Sequence, residues 1–411
     1  MAALLYALIS LGNAILTGVM SGWLIYFYLP PTDNLLVMPG LFGLTILVSR
    51  LSHILATIVM ERVASRTTLY MVGGALVMPG LFVLLWLPLP SPWSLLHLAL
   101  VLVAFNLASG VHQAAYEALL PSFAFGEKER NAVSNWRMAA LLVGNILAGL
   151  AGPLIEAVGY TSSMWIFASI SAPLLILPGL FLSRYLRADV PAAERVSFLE
   201  HVKTALSNPD FRIFSFSWGL MWLATTFTFE TLPYIVTEIC RLTKADTAWF
   251  YFSTLGASLV GYPIATKLAE RYGAKVVYRT SLLAGAIATP SLMLINEQIP
   301  LPLFAQGLAW IVLQTACLVG AQALPGIITA EITAGTPQEQ SSLYSFGNLV
   351  DQLSSGLALA IIPFFLLMGR SLSDAAGPLG VRSLALAGSL FLLASFWVIG
   401  FYKPKKQIFS H

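Results

Sequence analysis

Long apolar runs separated by short polar gaps dominate the sequence. The runs stay apolar for about 20 positions, without the every-second-residue alternation of a half-buried strand. Each therefore predicts a helix able to cross a hydrocarbon layer roughly 30 Å thick. Twelve spans are legible: 3–29, 35–60, 69–88, 94–119, 132–156, 161–184, 212–237, 246–268, 275–295, 302–326, 341–367 and 382–402. Several contain Pro and Gly, which membrane helices tolerate because neighbouring groups re-satisfy the freed backbone. A transmembrane barrel is excluded, since its strands alternate.

Composition agrees. Hydrophobic residues make up 57% of the 411 positions and charged residues 10%, against about 25% charged in soluble domains. The net charge of +3 is spread over loops, so no nucleic-acid face is expected. Cys240 and Cys317 fall near the ends of different spans, without metal-ligand spacing, and predict neither a metal site nor a disulfide. The first charged residue is Asp33. A cleavable signal peptide needs a positive n-region, so the first span is expected to remain as a helix. No Gly-rich phosphate loop and no hydrolase or kinase pattern is present. Neither an enzyme nor a cofactor is expected.

The basic residues decide the topology. Of the 22 Lys and Arg, 16 fall in alternate gaps or at the end: Arg62 and Arg66; Lys128 and Arg130; Arg184, Arg187, Arg195, Lys203 and Arg212; Lys267, Arg271, Lys275 and Arg279; Lys403, Lys405 and Lys406. The opposite gaps hold Arg241, Lys244, Arg370 and Arg382. The positive-inside rule then places both termini in the cytoplasm, and a plasma (inner) membrane location is expected.

The longest gap divides the chain into an N-terminal bundle (1–184), a linker (185–211) and a C-terminal bundle with a short basic tail (212–411). Within the linker, Val196, Leu199, Val202 and Leu206 fall near one helical face and predict a short amphipathic helix at the cytoplasmic surface. The halves share a faint repeat. Glu61-Arg62-Val-Ala-Ser-Arg66 follows the second span and Glu270-Arg271-Tyr-Gly-Ala-Lys275 the eighth, 209 residues on (61 to 270). Both are read as latches that hold helices during a conformational cycle. Two six-span halves are typical of the major facilitator architecture. The expected fold is an all-α integral membrane protein of twelve transmembrane helices in two six-helix bundles.

Several stretches, in order, carry a resemblance: Tyr6-Ala-Leu-Ile-Ser-Leu-Gly12-Asn13 with Leu24-Ile-Tyr-Phe-Tyr28; Arg50; Tyr116-Glu-Ala-Leu-Leu-Pro121 with Glu127-Lys-Glu-Arg130 and Trp136-Arg137-Met138; Asn208-Pro-Asp-Phe211; Ala323-Leu-Pro325 to Ala330-Glu331; and Phe346-Gly-Asn348-Leu-Val-Asp-Gln352-Leu353. The chain resembles the glycoside–pentoside–hexuronide cation symporters, the melibiose-carrier branch of the major facilitator superfamily. That resemblance implies a sugar or glycoside as substrate. It also implies coupling-cation acids in helices 1, 2 and 4. Those places here hold Ala14, His53, Thr57 and Gln113, and a helix 11 lysine appears as Gln352. A sodium site prefers carboxylate oxygen, so their loss makes Na⁺ less expected than H⁺.

Ionisable residues within spans are costly and usually face a cavity or one another. Arg50 lies about 15 residues into its span, roughly 22 Å along a helix. It reads as a substrate-binding cavity arginine or as one half of a structural ion pair. His53, on the same face, reads as a proton-coupling group or a neutral hydrogen-bonded histidine, and His112 as a packing residue. Glu117 reads as a proton carrier, as an inner-gate partner of Arg137, or as an acid that snorkels to nearby water. Glu230, next to Leu232-Pro233, and Asp351 are further candidates for proton coupling or gating. Asn13, Gln113, Tyr116, Arg137, Trp222 and Gln352 complete the candidate substrate-binding set. Trp23, Trp136 and Trp310 read as a stacking platform or as ordinary packing, and Asn106, Asn145 and Gln314 as substrate contacts or helix joints.

The expected activity is secondary transport of a small organic solute by alternating access, as proton symport or uniport. A monomer in the lipid bilayer is expected. Two alternatives stay open: transport of a lysophospholipid or other amphiphile, and a non-transporting carrier fold that serves as an assembly factor or sensor.

Overall fold

The computed structural model describes residues 2–31, 35–62, 67–87, 89–90, 93–123, 127–185, 198–332, 337–372 and 378–403. The described residues are nearly all helical. The first half contains α1 (Ala2–Tyr28), α2 (Pro39–Arg62), α3 (Thr67–Leu84), α4 (Trp93–Phe123), α5 (Glu127–Gly149) and α6 (Ala151–Tyr185). Then come α7 (Phe198–Ser207), α8 (Pro209–Glu230), the single turn α9 (Leu232–Tyr234), α10 (Thr247–Tyr272) and α11 (Ala274–Ala288). The chain closes with α12 (Leu303–Ala323), α13 (Pro325–Ile332), α14 (Pro337–Leu372) and α15 (Pro378–Gly400). Among the described residues, seven helices are long and apolar enough to cross a membrane. Side chains such as Ile287, Leu390 and Trp397 stay about two-thirds exposed, as lipid-facing side chains would.

Local sequence sets the helix ends. Asn208 caps α8 by accepting from the Phe211 backbone N–H at 3.1 Å, and Pro209 occupies the first turn, where no N–H is needed. Pro233 lies just beyond the end of α8, and the chain continues through α9 into a π-turn over Ile235–Ile239, the bend expected there. The sequence places 132–156 in one helix. The structure instead breaks α5 after Gly149 and restarts at Ala151, and Gly159 then kinks α6 with a φ of 81°. The run Gly149-Leu-Ala-Gly152-Pro153 explains the break, since Gly is a weak helix former and Pro removes a donor.

The chain divides into two compact units. Unit 1 comprises residues 1–195 and Thr243–Tyr251; unit 2 comprises 196–242 and 252–411. Within unit 1, α1 packs on α5 and α6, and α3 packs on α4 and α6. Within unit 2, α8 packs on α14 and α15, and α11 packs on α12 and α15. The pairing scheme therefore recurs. It is a stronger internal repeat than the two loop motifs, because it is set by which faces are apolar rather than by a few charges.

The core of unit 1 includes an aromatic cluster. Trp86 stacks on Tyr160 with centroids 6.2 Å apart, and Phe27 packs against both. Unit 2 centres on Phe211, Phe214, Trp218 and Tyr278, all buried. The helix expected in the linker forms as α7 and packs on α8 and α14. It buries Ala205, while Leu206 is 46% exposed.

Candidate functional site

The densest constellation of predicted residues lies within unit 1, where α1, α4 and α5 meet. Tyr6 and Ser10 are one turn apart on α1, and Asn13 continues the stripe. Tyr6 stacks on Tyr116 of α4 at 4.0 Å with rings 14° from parallel. The Tyr116 hydroxyl donates to the Tyr6 carbonyl at 3.0 Å, and the Tyr6 hydroxyl donates to the Tyr116 carbonyl at 3.2 Å. A phenol carries one proton, so Ser10 donates to the Tyr116 oxygen across their 2.6 Å contact. These bonds fix the ring face of Tyr116.

Arg137, from α5, stands over that ring with its guanidinium carbon 5.6 Å from the centroid. Its Nη2 lies 3.4 Å from Glu117 Oε1. The same oxygen accepts from Gln113 Nε2 at 2.7 Å. Gln113 and Glu117 are four residues apart and so share one face of α4. The Arg137 and Glu117 side chains keep 29% and 40% of their exposure, so the pair is partly open rather than sealed in the core.

His112 lies behind this face, 1% exposed. Its Nδ1 is 2.8 Å from the Met71 carbonyl oxygen. A carbonyl can only accept, so Nδ1 carries the proton. Nε2 is buried without a hydrogen-bond partner. Asn13 Oδ1 is likewise buried and unpartnered.

Arg50 and His53 are both half-buried on α2. His53 meets the Asn106 backbone of α4 and feels the charge of Arg50. Since α2 begins at Pro39, Arg50 lies roughly 17 Å along the helix rather than 22 Å. A Cβ at Gly110 would lie 2.7 Å from the His53 carbonyl oxygen. Only glycine permits this approach of α4 to α2.

The remaining candidates belong to unit 2. Trp222 and Gln352 are half-buried, Asp351 lies beside Trp222, and Glu230 is 6% exposed near the end of α8. Gln314 donates to Thr228 Oγ1 at 2.7 Å and so joins α12 to α8. Trp310 is buried and donates to the Thr289 carbonyl. Trp23 is buried beside Tyr26 and Tyr160, whereas Trp136 is 53% exposed. Of the latch residues, Glu270 and Arg271 are exposed, and Arg271 lies over Tyr272. Lys275 donates to the Gly400 and Tyr402 carbonyl oxygens at the end of α15. Glu61 and Arg62 end α2, but their side chains, like that of Thr57 and all of Arg66, lie outside what the structure describes.

The sequence does not single out Ser10 or the polar trio Ser217, Ser395 and Tyr278. Ser10 is signalled by its spacing from Tyr6 and Asn13. Nothing in sequence joins Ser217 to Ser395, which are brought together by tertiary packing.

A family model described as "MFS/sugar transport protein" matches residues 5–406. The chain belongs to this family. It is thus a membrane transporter of the major facilitator superfamily rather than an enzyme, and the resemblance to the melibiose-carrier branch extends over nearly the whole chain. No curated protein is significantly similar in sequence. Solved structures share the fold of this MFS protein. A bacterial homologue of the human lysosomal transporter Spinster is 14% identical, with a TM-score of 0.72 over 97% of this chain and 95% of that one. The nucleoside transporter NupG is 13% identical, with a TM-score of 0.71 over 98% of this chain and 100% of that one. A bacterial homologue of the iron transporter ferroportin is 16% identical, with a TM-score of 0.69 over 97% of each chain.

Proposed function

We propose that this MFS protein moves a small polar organic solute, with a sugar or glycoside as the first candidate, by alternating access in a plasma (inner) membrane with both termini cytoplasmic. The observation that carries the reading is the Tyr6–Tyr116–Arg137–Glu117–Gln113 constellation. An aromatic face, a guanidinium, a carboxylate and an amide converge there. Sites for small molecules combine apolar walls with a few convergent polar groups in this way. A sugar ring offers a C–H face to stack on an aromatic and hydroxyls that pair with Arg, Glu and Gln. Asn13 Oδ1, one of the buried atoms without a partner, supplies a further acceptor. Arg50 contributes a second cationic group to substrate binding.

Coupling to H⁺ is favoured over Na⁺, because His53, Thr57 and Gln113 supply no carboxylate where the resemblance expects one. The test is counterflow in proteoliposomes, with labelled methyl β-galactoside, uridine and lysophosphatidylcholine as probes. Saturable counterflow of the galactoside that is lost in Arg137→Ala supports the reading. Counterflow of lysophosphatidylcholine alone overturns the sugar assignment, and no counterflow of any probe overturns transport of these solutes.

A further inference from the structure

Unit 2 holds a second polar cluster, which the constellation on unit 1 does not use. Along one stripe α8 and α14 approach closely. A Cβ at Gly347 would lie 2.5 Å from the Trp218 ring, and one at Gly219 would lie 2.9 Å from Ser354 Oγ and 3.2 Å from Val350. This register runs Asp351 along the same seam and sets it beside Trp222. Asp351 Oδ1 and Trp222 Nε1 are both buried, and the two side chains lie close together without reaching full hydrogen-bond geometry. The Tyr278 hydroxyl of α11 is a third buried atom without a partner. It stands next to Ser217 and Ser395 and within electrostatic reach of Asp351. Those two serines satisfy one another, with Ser217 donating to the Ser395 carbonyl at 3.0 Å and Ser395 to the Ser217 carbonyl at 2.7 Å.

Among the described residues, no cation offsets this carboxyl: Asp351 has no Lys, Arg or His at ion-pair distance. The described charged side chains on neighbouring helices are engaged elsewhere or exposed. On α7, Lys203 is exposed. On α11, Lys275 holds the end of α15, and the Arg279 guanidinium lies 4.3 Å from the Phe396 ring centroid. On α13, Glu331 acts on Tyr402. On α15, Arg382 donates to the Ile295 carbonyl. On α8, Asp210 acts on Lys275 and Tyr402, and Glu230 is eight residues beyond Trp222. Among the described residues, the titratable group that faces Asp351 is therefore Tyr278.

A lone carboxylate in this setting costs several kcal/mol, because the membrane interior solvates charge poorly and no counter-ion repays the loss. A carboxylic acid removes the charge and gains a donor. We propose that Asp351 is a reversible proton-binding site of unit 2. It holds a neutral carboxyl group in the state described here. When water reaches the cluster, the O–H bond breaks, the proton passes to water and the carboxylate remains. The Trp222 indole and the Tyr278 hydroxyl are the two donors placed to receive that charge. The proposal rests on the transport reading only for its use in coupling. It moves the ionisable group from the helix 1, helix 2 and helix 4 places that the resemblance would suggest to α14.

The test is infrared titration of the detergent-purified full-length protein. Wild type should keep a carboxylic C=O band at neutral pH that Asp351→Asn lacks and Glu117→Gln retains. Superimposable wild-type and Asp351→Asn spectra would overturn the proposal. If Asp351→Asn does not fold, Trp222→Phe serves instead. It removes a donor to the ionised form, so the band should persist to higher pH; an unmoved titration overturns the proposal. In liposomes, Asp351→Asn should preserve counterflow of methyl β-galactoside or uridine, whichever the wild type carries, and lose accumulation driven by a pH gradient. Wild-type accumulation in that variant also overturns the proposal. If the wild type carries neither probe, the transport reading fails and the infrared result alone decides the proton site.

Discussion

Glu117 and Arg137, twenty residues apart in sequence, meet at 3.4 Å on neighbouring helices, and the same arginine lies over the ring of Tyr116. The guanidinium thus has two partners of different kinds, a carboxylate at its edge and an aromatic face below it. Lysine could replace the charge but not the planar fork. Because the pair is partly exposed, its worth to stability is at most about 1 kcal/mol. Arg137→Lys and Arg137→Ala are therefore expected to leave thermal stability almost unchanged while cutting counterflow at least about tenfold, equivalent to about 1.4 kcal/mol. Melting curves and counterflow measured on the same preparations check this. A large loss of melting temperature with proportionate loss of counterflow would make the pair structural.

Tyr116 separates stacking from hydrogen bonding. Tyr116→Phe retains the ring on Tyr6 and deletes the hydroxyl that bonds Ser10 and the Tyr6 carbonyl. Two ordinary hydrogen bonds predict a loss of about 1–3 kcal/mol. Tyr116→Ala removes the ring as well and should cost about 3–5 kcal/mol, as large-to-small aromatic changes do. Denaturation of the purified variants measures the difference. Equal losses would mean that the hydroxyl, not the stack, joins α1 to α4.

How much of this was legible in the sequence depends on the range of the interaction. Twelve apolar runs sufficed for the helices and the class, because lipid imposes a length and an apolar composition on each span. Gln113 with Glu117 was legible as an i, i+4 pair. The pairing of Glu117 with Arg137 was inferred from their shared depth, and the structure brings the two together. Spacing could not give Ser217 with Ser395, which depends on how α8 meets α15. Nor could it show that Lys275 turns to the carbonyls of α15, since backbone acceptors carry no sequence mark. The break at Leu150 was obscured by the apolar run that continues through it. Only the density of Gly and Pro there signals it.

Lys275 gives a prediction on unit 2. Its ammonium donates to the carbonyl oxygens of Gly400 and Tyr402 and lies near the Tyr402 ring. The last carbonyls of a helix have no intrahelical donor, and a cation there also meets the favourable end of the helix dipole. Lys275→Met keeps the apolar stem and removes the charge, so it should cost about 1.5–3 kcal/mol, the range of a charged hydrogen bond. Arg241→Met is the control. Its partner Glu297 and the arginine itself are mostly exposed, and removing that pair should shift stability little. Thermal denaturation of both variants is the check; equal shifts would deny Lys275 a capping role.

Gly152 offers the sharpest steric test. Within unit 1, the segment Thr243–Tyr251 lies against α1 and α6. The Ala245 backbone N–H donates to Glu156 Oε2 at 2.8 Å. Lys244 Nζ stands 5.1 Å from the Tyr160 ring centroid and 5.8 Å from that of Tyr26. A Cβ at Gly152 would lie 2.1 Å from the Lys244 carbonyl oxygen, closer than any non-bonded approach tolerates. That oxygen belongs to the backbone, so the segment itself must move. Gly152→Ala should therefore loosen Thr243–Tyr251, whereas Lys244→Met, which loses only the cation–π contacts of about 0.5–2 kcal/mol, should loosen it less. Labelling of Ala245→Cys by a membrane-impermeant maleimide reads the difference. The rate should rise several-fold in the Gly152→Ala background and modestly with Lys244→Met. An unchanged rate with Gly152→Ala would mean that the glycine is not what allows the segment to seat.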